Sequence, residues 1–293
     1  MSKVELVVNV GALLGEGPSW DARRKVLYWV DILEKKVYMY NPVTDINYVI
    51  ELDQYVGTVA PTESGNLILA LQHGFFTMDL NTKQLTKIVD PEERIPDNRF
   101  NDGKCDVRGR FWAGTMSLKD VRGAGNLYRL DDDHNVKTII QNVTISNGIA
   151  WRPDNKIMYH IDTPTRQVAA YDFEVETGAI RNKRVVIEIP EEMGSPDGMT
   201  VDEEGMLWVA KWGGFQVGRW NPNTGELIDS VGVPAPLVTS CSFGGENMDE
   251  LYITTARVGL NNETLQKYPK AGGLFRIKTD VKGQQIHRFK DRT

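Results

Sequence analysis

The segment "RFNDGKCDVRGRFWAGTM", residues 99–116, sets Asn101, Asp102 and Gly103 ahead of a short apolar run that begins at Phe111. The same design recurs along the chain. "SNGIAWRPDNKIMYHID" (146–162) places Asn147-Gly148 ten positions before Ile157, and "SPDGMTVDEEGMLWVA" (195–210) places Asp197-Gly198 ten before Leu207. "GEGPSWDARRKVLYWVD" (15–31) carries Glu16-Gly17, with Glu16 eleven before Leu27. A polar residue and a glycine at a near-constant distance before a strand mark a repeated unit.

The apolar runs recur at Leu27, Leu67, Phe111, Ile157, Leu207 and Leu251, in steps of 40 to 50 residues. A second short strand follows most of them and ends in turn residues, as in "VYMYNPVTD" and "VGRWNPNTG". Asn-Pro and Thr-Gly form turns through fixed φ, side-chain-to-backbone hydrogen bonds and left-handed backbone, so the units read as strand-turn-strand. Six mostly β units of this size predict an all-β, six-bladed β-propeller. No stretch shows sustained helical periodicity, and "PEEMGSPDG" (190–198) holds too many helix breakers. The N-terminal "ELVVNV" has no unit of its own. It is expected to pair with the last unit and close the ring, which removes an open sheet edge and makes residues 1–293 one domain. The large residue after each run start (Tyr28, Trp112, Met158, Trp208, Tyr252) reads as packing between blades rather than as a cofactor box.

Composition bounds the function. A chain of 293 residues with 41% hydrophobic content can build a large core. A net charge of −6 without a basic cluster argues against nucleic acid and anionic membranes as partners. The N-terminus lacks the features of a signal peptide, and no apolar run approaches the roughly 18 residues of a membrane span. Cys105 and Cys241 lack metal-type spacing and are too few for a disulfide framework, which points to reduced thiols in the cytoplasm.

In a propeller the loop entering each innermost strand opens onto the axis, so the equivalent slots face one another. By the repeat spacing these are Glu16, Gly57, Asn101, Asn147, Asp197 and Cys241. The glycines alone could serve tight turns that need positive φ. Alternatively, two carboxylates and an amide oxygen converging on one point make a hard, oxygen-lined central axial metal site. A bound cation would then offset the buried like charges.

The ordered set "GEGPSW", "NRFNDGK", "GTM", "SNGIAW", "PDGMTVDEEGMLWVA", "SFGG" and "AGGLFRI" resembles the gluconolactonase/regucalcin (senescence marker protein) family of six-bladed propellers. The likeness runs from about Gly15 to about Gly283. It implies a metal-dependent lactonase that opens sugar (aldono-) lactones such as glucono-lactone. One divalent cation, Ca²⁺ foremost with Zn²⁺, Mn²⁺ or Mg²⁺ as alternatives, would be held by Glu16, Asn147 and Asp197. Arg99 and Asn101 would hold the lactone, and Asp197 would double as the general base. The chain is expected to work as a monomer or weak homo-oligomer. A different class, a non-catalytic calcium-binding regulatory propeller, has no use for the Arg99/Asn101 pair. One departure stands out: members that handle sugar lactones can carry an acid three positions after the Met of "GTM", and here that position is Lys119. Other catalytic sets are poorly supported, since Ser195 lacks a nucleophile elbow and the four histidines are scattered.

Overall fold

The computed structural model describes residues 3–291. The ends of the expected 1–293 domain lie outside the described residues. Nearly all regular structure is β. Four antiparallel sheets of four strands begin at Gly15, Val56, Asn98 and Ser146. Residues 195–232 and 237–278 form two further groups, joined into one eight-stranded sheet by the single pair Trp212–Leu237. The strand Glu5–Val8 pairs antiparallel with Leu274–Lys278, so the start of the chain completes the last group.

The first strand of each group is innermost: Gly15–Asp21, Val56–Pro61, Asn98–Cys105, Ser146–Trp151, Ser195–Val201 and Leu237–Gly244. Each packs on the next, and the last packs on the first. That cyclic order is a β-propeller. The second strands, such as Val26–Asp31 (VLYWVD), are buried on both faces and are therefore apolar nearly throughout. The outermost strand Ile46–Glu51 (INYVIE) is largely exposed or half-buried.

The core is distributed between the groups rather than at the centre. Tyr28 packs between the first and second groups, Trp112 and Met158 between the third and fourth, Trp208 between the fifth and sixth, and Tyr252 between the last and first. Trp112 meets Trp151 and Phe173 edge-on, with ring centroids 5.7 and 6.0 Å apart. Each such buried side chain contributes about 1.5–3 kcal/mol, so the ring is held by its blade-to-blade seams.

Every inner strand breaks its ladder at a similar depth. The breaks fall between Glu16 and Ser19, Val56 and Thr58, Phe100 and Gly103, Ser146 and Ile149, Pro196 and Met199, and Val238 and Ser240. A bulge adds a residue to one strand and re-aims its side chains. This explains the recurring polar-glycine pair: Asn101, Asn147 and Asp197 sit in the bulge, Glu16 pairs with Val30 at its edge, and the glycine lets the neighbouring strand come close. A Cβ on Gly148 would lie 2.8 Å from the Asp197 carbonyl oxygen, and one on Gly198 would run into Ser240 Oγ. Only Gly17 among the four glycines has a positive φ, +53°, so the tight-turn explanation applies there alone. Gly198→Ala is accordingly expected to cost about 1–3 kcal/mol through overpacking, seen as a lower melting temperature in a thermal denaturation scan. An unchanged Tm would show that the fifth and sixth strands have slack at this contact.

The register corrects one slot. In the sixth group the extra residue is Thr239, whereas Cys241 pairs regularly with Ile253. Seven residues lie between the paired Phe243 and Leu251, against five between Val201 and Leu207, so the longer hairpin displaces the spacing by two. Thr239 Oγ1 donates to the Gly15 carbonyl, which ties the last group to the first, and lies 2.9 Å from Thr254 Oγ1.

Two features had no periodic signal. The helix Asn262–Lys267 is capped by Asn261, whose side chain accepts from the Thr264 N–H at 2.8 Å. A C-terminal strap crosses the face opposite the bulges. Glu203 N donates to Lys282 O, Gly283 N to Met248 O, Phe289 N to Pro61 O and Lys290 N to Gly109 O, at 2.8–2.9 Å.

Candidate active site on the propeller axis

Glu16, Arg99, Asn101, Asn147 and Asp197 stand at the bulges or one step from them, each 4–5% exposed. Arg99 Nη1 donates to Asn101 Oδ1 at 2.7 Å and to the Phe100 carbonyl at 2.9 Å. Asn101 Nδ2 donates to the Ser146 carbonyl at 2.9 Å and to Asn147 Oδ1 at 3.2 Å. Asn147 Nδ2 donates to Thr163 Oγ1 at 2.9 Å, and that hydroxyl donates to the Pro196 carbonyl at 2.9 Å. A continuous polar network therefore runs from the third group to the fifth, ending beside Asp197.

The carboxylates are poorly compensated. Burial, then the Asp102 carboxylate, push Glu16 up to about 8. Burial, then Glu16, push Asp197 well above the usual carboxylate range. The two side chains lie close enough to share a hydrogen bond. Glu16 Oε2 also accepts from the Gly17 N–H at 2.9 Å. Asp197 Oδ1, in contrast, is buried and meets no donor among the described residues. Burial draws Arg99 down to about 10, with Glu16, Tyr55 and Asp197 acting in the opposite sense.

This arrangement fits a hard cation. Two buried carboxylates and an amide oxygen are the donors Ca²⁺, Mg²⁺ or Mn²⁺ prefer, and a dication would relieve the repulsion that raises both acids. Among the described residues no three His, Cys, Asp or Glu side chains gather as a metal group. The third protein oxygen would be the Asn147 amide.

Three neighbours were not evident from the repeats. Thr163 sets the rotation of the Asn147 amide. Asp102, 7% exposed, adds a third carboxylate within electrostatic reach of Glu16 and Asp197. Tyr55, two positions before the empty slot at Gly57, lies within electrostatic reach of Arg99. The Asp of "NDG" was visible in the sequence, but a period-two strand hides which of two adjacent residues faces inward until the bulge is placed.

The remaining candidates lie elsewhere or are inert. His160 Nε2 bonds Ser146 Oγ at 2.9 Å, and burial, then Lys183, push the ring down to about 3, so it stays neutral. Cys105 and Cys241 are free and buried, and burial pushes the Cys241 thiol up to about 12. Lys119 Nζ pairs with Asp97 Oδ2 at 2.6 Å while 67% of its side chain stays exposed. An exposed ion pair is worth little, so its charge is screened before it reaches Arg99. Lys119→Ala is expected to leave the ratio of kcat/KM between a neutral and a carboxylated lactone unchanged. A tenfold shift would place this ammonium in the pocket after all.

Comparison with known proteins narrows the field. Residues 14–257 match the family model described as the SMP-30/gluconolactonase/LRE-like region. YvrE of Bacillus subtilis (strain 168), a candidate sugar lactone lactonase, is 39% identical over 280 residues, covering 96% of each chain. The structure of a luciferin-regenerating enzyme superposes with a TM-score of 0.93 at 35% identity, covering 99% of this chain and 100% of that one. A regucalcin from Agrobacterium tumefaciens str. C58, described as a calcium-binding protein, superposes with a TM-score of 0.94 at 28% identity, covering 97% and 96%.

Proposed function

The chain belongs to the SMP-30/gluconolactonase/LRE-like family, and from that premise we propose that it hydrolyses sugar lactones to the corresponding sugar acids. It would do so as a single six-bladed propeller in the cytoplasm, with one divalent cation on the axis. Glu16, Asn147 and Asp197 would hold the cation, and Ca²⁺ is the foremost choice because a regucalcin of this fold is described as calcium-binding. The observation that carries the proposal is the buried Arg99–Asn101 pair beside two carboxylates, one with an unmet oxygen. A regulatory scaffold has no use for such a pair.

When bound, the cation supplies Lewis acidity toward the ester carbonyl and lowers the pKa of water. The other tasks fall to the chain. Asp197 Oδ1, with no donor of its own, receives the proton of the attacking water. Arg99 presents a rigid fork of donors to the ring hydroxyls and to the oxyanion as it forms. Asn101 Oδ1 fixes that fork, and Thr163 fixes Asn147. The depth of all five side chains keeps bulk water from screening these charges.

The test is a panel of pentono- and hexonolactones with proton release followed by a pH indicator. Turnover well above spontaneous hydrolysis for at least one aldonolactone is the expected result. Calcium binding without turnover of any lactone would overturn the proposal in favour of a regulatory propeller.

A further inference from the structure

The inner strands have a second end, beneath the C-terminal strap. A cavity of about 30 Å³ lies there, lined in part by Lys104, Trp151, Asn155, Thr200, Gln284 and His287. One water needs roughly 10–15 Å³ on this scale, so there is room for more than one. Trp151 Nε1 and Gln284 Nε2 are buried N–H groups that meet no acceptor among the described residues, and Trp151 is only 6% exposed. Both groups can only donate. The half-buried Lys104 ammonium brings three protons, of which one is used on the Met199 carbonyl at 2.9 Å.

The charge on the cavity's own lining is equally one-sided. Among the described residues, no carboxylate lines this cavity. Asp102, two residues before Lys104, lines the adjoining cavity toward Gly17, which Lys104 also lines, and its carboxylate favours the Lys104 ammonium electrostatically. Asp106, which His287 senses electrostatically, is already engaged by Arg110 Nε at 2.6 Å and Trp112 Nε1 at 2.8 Å. Unmet donors around an ammonium with protons to spare call for a ligand made of acceptors with negative charge.

We propose that this cavity is a binding site for a small oxyanion, a carboxylate or a tetrahedral oxyanion, held by Trp151 Nε1, Gln284 Nε2 and the Lys104 ammonium. It lies at the opposite end of the inner strands from Glu16 and Asp197 and is separate from the lactone pocket. The indole of Trp151 is its reporter.

The experiment titrates sodium sulfate, and separately sodium acetate, into the full ¹⁵N-labelled chain with ionic strength held constant by chloride. The Trp151 indole N–H resonance, assigned by its loss in Trp151→Phe, is followed. A saturable shift with either oxyanion is expected, and the stronger arm identifies a tetrahedral or a carboxylate ligand. Lys104→Met should weaken the binding by about tenfold or more, and Gln284→Ala, a change on the strap, provides a second variant should Lys104→Met not fold. A non-saturating response to both salts, or undiminished affinity in the folded variants, would overturn the site and leave water as its occupant.

Discussion

Asp197→Asn is expected to lower kcat by about 10²–10⁴ at saturating metal while KM changes little, the loss that follows removal of a general base. The amide keeps the shape of the side chain and one oxygen, but it cannot accept the proton of an attacking water. The expectation is specific to Asp197 because its Oδ1 is the carboxylate oxygen left without a donor in this site, whereas Glu16 is already engaged by the Gly17 N–H. Steady-state kinetics on whichever aldonolactone turns over fastest, with metal content verified, checks it. A variant within a few-fold of wild type would remove Asp197 from the mechanism and leave it as a ligand at most.

Metal dependence should show a different signature at the other two ligands. Chelation is expected to abolish lactonase activity, and re-addition of the divalent cation to restore it. Glu16→Gln and Asn147→Ala should each raise the metal Kd by about tenfold or more, equivalent to about 1.4 kcal/mol, with kcat largely recovered in excess metal. Titration calorimetry reads the affinity directly, and the Tm gained per increment of metal gives an independent measure, since a ligand that binds only the folded state stabilises it by mass action. For Glu16 the cause is loss of a charge; for Asn147 it is loss of an oxygen that Thr163 and Asn101 hold in place. Unaltered metal affinity in both variants would refute the ligand set, and activity that survives exhaustive chelation would refute the metal itself.

The sequence by itself determined the β class, the repeating unit and the blade seams. Those properties are local or periodic. A turn dipeptide acts within four residues, and an apolar run buried on both faces announces itself by composition. The large residues at Tyr28, Trp112 and Trp208 follow from a unit size that places one such residue at each seam. The repeat also singled out Glu16, Asn101, Asn147 and Asp197, because a strand that bulges toward the axis needs a polar residue with a glycine close by, whereas Arg99 entered only through the family resemblance.

Only the tertiary structure decided the rest. Ladder register moved the sixth slot from Cys241 to Thr239, because two extra residues in a hairpin shift a count without leaving any mark on composition. The neighbours Thr163, Asp102 and Tyr55 come from different strands and loops, and their proximity to the site depends on how the blades close around the axis. Lys119 stood out as a departure from the family's pattern, yet its salt bridge to Asp97 and its exposure depend on which way a surface loop turns. The strap over residues 279–291 binds through backbone groups, which every residue carries, so no side-chain pattern could foretell it. Periodicity specifies what a strand buries, while the three-dimensional closure of the ring specifies which buried groups meet.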